Sequence, residues 1–153
     1  MATINATLSV SSSDLSSNGL SLSNTMTMTK AGTNTGLEFS SGLIRRKLTA
    51  TTEIDLVTAN TAQVYGTPTA TTNANKIYIK NTGSSSTDYI SVGLGDATGA
   101  EELDDGTSKI TLGKLYGGEW MIIPYHGASN VGDVLVAPST AEATTIEWML
   151  FFE

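Results

Sequence analysis

The sequence has no cysteine, a single histidine and three prolines, and only 15% of its 153 residues are charged. Without cysteine there is neither a disulfide framework nor a thiolate metal site. His126 alone cannot build a multi-histidine metal centre, and without a thiol there is no Cys–His dyad. Lysine and arginine number 8 against 15 carboxylates, a net charge of −7. Phosphate contacts need clustered lysine and arginine, so this balance argues against nucleic acid as a partner. No segment approaches the roughly 20 apolar residues of a membrane helix, and no membrane partner is expected. The opening MATINATLSV lacks a basic region and a continuous apolar run, so it does not read as a secretory signal.

What the chain has in excess is hydroxyl. There are 24 threonines and 17 serines, 41 residues in all. Threonine favours strands, and serine, glycine and asparagine favour turns. Low charge with this composition reads as an all-β protein with many short connections. The stretch GLSLSNTMTMT shows the pattern most plainly. Leu20, Leu22, Met26 and Met28 alternate with Ser21, Ser23, Thr25 and Thr27, the period of a strand with one apolar face and one hydroxyl face. Charge is distributed unevenly: residues 1–50 sum to +2 and residues 81–153 to −9. Such asymmetry suits a protein whose acidic part faces water and whose neutral part faces a partner.

Strands are expected at about 3–10, 19–29, 42–49, 53–58, 75–81, 88–94, 108–112, 118–125, 132–137 and 144–152. Clusters of Gly, Ser, Asn and Asp punctuate them. A weak helical pattern lies in TANTAQVYG, 58–66. The expected fold is an antiparallel β-sandwich, jelly-roll-like, with an extended N-terminal arm. One β domain spans 1–153, with Ser/Thr-rich strands and a possible assembly arm in 1–57 and an aromatic-rich sandwich core in 75–153. In KIYIK, Ile77 and Ile79 point inward; in YISVGLG, Ile90, Val92 and Leu94 share a face. EWMIIPY and IEWMLFF are apolar on both faces, as in central or covered strands. Pro124 ends or bulges its strand because it cannot donate to the ladder.

No catalytic constellation, cofactor motif or metal motif emerges. There is no G-x-S-x-G elbow, P-loop or G-x-G-x-x-G. The acidic loop with Asp96, Glu101, Glu102, Asp104 and Asp105 has the hard oxygens that calcium takes, but not the spacing of a calcium loop, and reads as solvated. Arg45, Arg46 and Lys47 form the only basic run, either a solvated strand edge or a salt-bridge site for an acidic neighbour. His126 reads as a loop residue or a pH-sensitive contact. Trp120, Trp148, Phe151 and Phe152 read as core. Tyr116 and Tyr125, near strand ends, read as surface anchors. The candidate interface is thus Ser21, Ser23, Thr25, Thr27, Arg45, Arg46, Lys47, Tyr116, Tyr125 and His126.

Four segments carry a resemblance: LSLSNTMTMTKAGTNTGLEFSSGLIRRKLTATTEIDL, NKIYIKNTGSSSTDYISVGLG, ITLGKLYGGEWMIIPYHG and TIEWMLFFE. Together they resemble the small virion structural proteins of tailed bacteriophages, of the cyanophage and marine-phage type. The resemblance implies a non-enzymatic role in the virion, with assembly in the host bacterial cytoplasm. The first reading is a capsid decoration (cement) protein that binds the major capsid protein or other virion proteins. A neck, tail or fibre-attachment component is the alternative. A homo-oligomer is expected, and a trimer suits the local threefold positions of a shell. A host-surface carbohydrate-binding module is a third reading, discriminated by the exposure of Trp120 and Trp148.

Overall fold

The alternating stretches form strands, eleven of them among the residues described: 3–13, 20–29, 39–49, 51, 53–57, 74–95, 110–125, 133–140 and 144–152 of a computed structural model. They are β1 (Thr3–Ser12), β2 (Leu20–Thr29), β3 (Phe39–Ser40), β4 (Ile44–Leu48), β5 (Ile54–Val57), β6 (Ala74–Asn81), β7 (Tyr89–Gly95), β8 (Ile110–Tyr116), β9 (Trp120–Pro124), β10 (Asp133–Pro138) and β11 (Thr144–Phe152). Every pairing is antiparallel. The helical pattern at 58–66 lies outside the described residues.

Two sheets share one core. The first runs β3/β4-β11-β6-β9 and the second β5-β10-β7-β8. The pairing is nested: β4 with β11, β5 with β10, β6 with β9, β7 with β8. Eight strands paired in this order give a sandwich-like arrangement of two antiparallel sheets. Ile77, Ile79, Ile146, Trp148 and Leu150 from the first sheet meet Ile90, Val92, Leu115, Val134 and Val136 from the second. These are the inward positions that a period of two selects. Strands β3 to β5 complete both sheets, so the sandwich draws on residues 39–57 as well as on 75–153.

Local chemistry sets the irregularities. β3 and β4 are one edge strand broken at Gly42, whose φ of 74° suits a residue without a Cβ. Ser41 bridges the break: its backbone N–H donates to Leu150 O at 3.0 Å, and its Oγ accepts from the Leu150 N–H at 2.9 Å. β8 continues past residue 112 to Tyr116 because a register shift opposite Val92 and Gly93 absorbs Leu112 as a bulge. Asn81 is buried and ties the sheets together. Its Nδ2 donates to Leu115 O at 3.0 Å, and its Oδ1 accepts from the Gly83 N–H at 2.9 Å.

Candidate assembly surface

β1 and β2 form a sheet of their own, paired without interruption from Thr3↔Thr29 to Ser12↔Leu20. Ten residues at about 3.4 Å each give a ribbon roughly 34 Å long. One face carries Ile4, Ala6, Leu8, Val10, Leu22, Met26 and Met28. The other carries Thr3, Asn5, Thr7 and Ser9 together with the expected Ser21, Ser23, Thr25 and Thr27, all exposed. Thr7 and Thr25 hydroxyls lie 3.0 Å apart across the pair.

The proximal half of this arm is docked. Met28 packs on Phe151, both buried, with Ile4, Met26, Tyr78, Ile122 and Met149 around them. That contact covers the outward face of β11, β6 and β9, which explains why β11 is apolar on both sides. The distal half is covered less fully: Leu8, Val10 and Leu22 remain 47%, 37% and 48% exposed.

Beside the apolar patch the outward face of the first sheet holds one row in register: Arg45, Glu147, Lys80 and Trp120, on β4, β11, β6 and β9. Glu147 is buried between Ile146 and Trp148 in sequence and needs partners. Arg45 Nε donates to its Oε2 at 3.0 Å, and the Tyr78 hydroxyl donates to its Oε1 at 3.1 Å. Burial, then the hydrogen bond and charge of Glu147, push the Tyr78 hydroxyl up to about 12. Trp120 stands 6.3 Å from the Tyr78 ring at 43°. A groove of about 350 Å³ between the arm and this sheet is lined by Asn5, Thr7, Tyr78, Lys80 and Trp120 among others.

The other expected residues scatter. Arg46 and Lys47 are exposed on β4, with Arg46 opposite Ile146 on the inward-pointing side of an edge strand, a placement that discourages edge pairing. Tyr116 is exposed on the second sheet, its ring 5.4 Å from Tyr89 at 62°; Lys114 Nζ lies 4.3 Å over the Tyr89 ring. Tyr125 is a correction: only 4% exposed, it joins the core once β9 ends at Pro124. Burial and the charge of Asp133 raise its hydroxyl to about 12. The two tryptophans divide. Trp148 is core, whereas Trp120 is 40% exposed, against the core expectation. His126 and the acidic loop 96–105 lie outside the described residues. Among the described residues no three His, Cys, Asp or Glu side chains gather to hold a metal ion.

No protein family, curated protein or solved structure matches this chain.

Glu147 on β11 and Leu8 and Val10 on β1 are candidate functional positions that the sequence patterns did not single out. A lone carboxylate in the apolar run IEWMLFF was a signal for the first, because a buried charge needs a partner. The alternation of β1 carried the second, but alternation alone does not say how far a covering sheet reaches.

Proposed function

We propose that this protein is a non-enzymatic structural component of a bacteriophage virion, a decoration (cement) protein that binds the capsid shell as a homo-oligomer. The observation that carries the reading is the arm. A long ribbon is anchored at one end by Met28 on Phe151 and presents an unbroken row of small hydroxyls, Ser21, Ser23, Thr25 and Thr27, to the outside. Such side chains lose little rotamer entropy on docking, and hydrogen-bond to a neighbour's backbone or side chains. Adhesion through a surface of this kind needs shape and copy number, with no reacting group. The nested strand pairing, read here as jelly-roll-like, fits as well, since that architecture recurs in viral capsid proteins and lectins. The resemblance to phage virion proteins supports the virion as the setting, with assembly in the host cytoplasm, and the shell is the partner this reading prefers. A neck, tail or fibre-attachment role uses the same adhesive arm on a different virion protein.

The test is co-sedimentation of the purified full chain with tailless phage shells. Saturable binding in regular stoichiometry with the major shell protein is expected. Absence of binding to shells, with binding to necks or tails, overturns the decoration role.

A second reading rests on Trp120. A half-exposed indole beside Tyr78, with Asn5, Thr7 and Lys80 lining the same groove, offers an apolar platform and hydrogen-bonding groups for a sugar ring. Quenching or shift of Trp120 emission by host-surface glycans tests it, with Trp120→Phe as control. No change on any glycan removes it.

A further inference from the structure

Among the described residues β2 has one long open side: it pairs only with β1, over ten positions with no register shift. Its sequence, LSLSNTMTMT, contains no lysine, arginine or proline. Charged residues, proline and bulges are the devices that ordinarily blunt an exposed edge, and β2 has none of them. β4, on the sandwich, has both an interruption and the inward-pointing Arg46.

Charge narrows the choice of occupant. β1 and β2 together contain no charged residue, while the chain carries −7 overall and −9 in residues 81–153. An acidic or basic partner gains nothing electrostatically from this ribbon. Two copies of this chain repel each other through their acidic parts and meet without repulsion through their arms. The arm also needs what a second copy brings. A two-stranded ribbon is marginal in water, and stability comes with further strands and a shared apolar face. The proximal half has such support from Phe151; distal Leu8, Val10 and Leu22 are left 37–48% exposed.

We infer that β2 is a self-association edge, at which two copies pair β2 against β2, antiparallel, across a two-fold axis. An edge strand related to itself by a two-fold is complementary to itself, an isologous contact. The product is a four-stranded sheet formed by strand addition. A two-fold perpendicular to the ribbon keeps both apolar faces on the same side, so Leu8, Val10 and Leu22 of the two copies form one stripe. The two Leu22 side chains come close where the distal halves overlap. The predicted unit is a pair, in place of the trimer that a shell's local symmetry favours. This inference rests on the arm and not on the shell, so it stands or falls separately from the decoration role.

The test measures the mass of the purified full chain by light scattering across concentration, without shells. The wild type is expected at the mass of two copies. Leu22→Lys and Leu22→Glu, each alone, are expected at the mass of one copy, with dissociation at least about tenfold easier. Mixing the two variants is expected to restore the pair, since opposite charges then face each other. Unchanged tryptophan emission in each variant verifies that the arm is still docked beside Trp120. A wild-type mass of one or three copies overturns the inference. So does a pair that survives both single variants, or a mixture that fails to re-associate.

Discussion

Arg45 and Glu147, 102 residues apart in the chain, meet at 3.0 Å across the pairing of β4 with β11. The guanidinium end is largely in water, with its side chain 68% exposed against 9% for Glu147. Solvent screening therefore limits what the contact contributes, and Arg45→Ala is expected to cost under about 1 kcal/mol in urea unfolding. A loss several times larger would mean that the carboxylate depends on Arg45 alone.

Glu147 is coupled more tightly to Tyr78. In Glu147→Gln the burial of Tyr78 persists, but the negative charge beside it disappears. The Tyr78 hydroxyl should then titrate below its value of about 12 while staying above the ordinary 10. Tyrosinate absorbance followed through an alkaline titration, with Tyr78→Phe to assign the signal, reads this directly. An unmoved titration would assign the whole elevation to burial.

Tyr78 and Tyr125 both hold their protons more tightly folded than unfolded, each raised from 10.0 to about 12. The unfolded chain releases these protons first as pH rises. The stability they contribute is complete below pH about 10 and is lost as pH climbs toward about 12. Chemical-denaturation midpoints should fall across that window, with a shallower fall in the Tyr78→Phe and Tyr125→Phe variants. At neutral pH, Tyr125→Phe should be neutral or stabilising by up to about 1 kcal/mol, because the buried hydroxyl has no hydrogen-bond partner among the described residues.

A Cβ placed on Gly117 would lie 2.6 Å from Ser85 O and 2.7 Å from Ser85 N, both backbone atoms that cannot swing aside. The Gly117 N–H also donates to that carbonyl at 3.0 Å. Gly117→Ala should therefore cost about 1 to 3 kcal/mol. Gly113→Ala meets nothing within 4 Å and should stay within about 0.5 kcal/mol. Thermal unfolding of the pair checks the contrast, and equal costs would contradict the packing of the 81–89 turn on the β8–β9 turn.

Met28 on Phe151 is the anchor of the arm. Met28→Ala removes buried volume worth about 2 to 5 kcal/mol at a well-packed site, and here the loss falls on docking of the ribbon. Limited proteolysis should clip the arm faster than in the wild type and leave the sandwich with a cooperative thermal transition. Unaltered proteolysis would show that the arm is held mainly by other contacts.

The strands themselves were legible because a period of two states which side of a sheet each residue takes. Ile77 and Ile79 are buried in KIYIK as the alternation requires, and both apolar faces of β11 are covered. The end of β8 was hidden because the bulge at Leu112 resets the alternation. Tyr125 misled because proximity to a strand end does not fix which way the chain turns after Pro124. The hydroxyl face of the arm was readable from GLSLSNTMTMT, but the limit of its docked half depends on where Phe151 lies, on a strand more than a hundred residues further along the chain that β3 and β6 hold in place.

Nested pairing also sets an order in time. During synthesis β1 and β2 can close as soon as both have emerged, because partners such as Thr7 and Thr25 are 18 residues apart. β4 must wait for β11, the last strand described, and so must Phe151, which holds Met28. The neutral ribbon can thus begin to pair before its own sandwich exists to cover any of it. Non-local pairing of this kind is slow compared with hairpin closure. On the proposed pairing through β2, neighbouring nascent chains on one message would meet arm first, before either copy has finished folding.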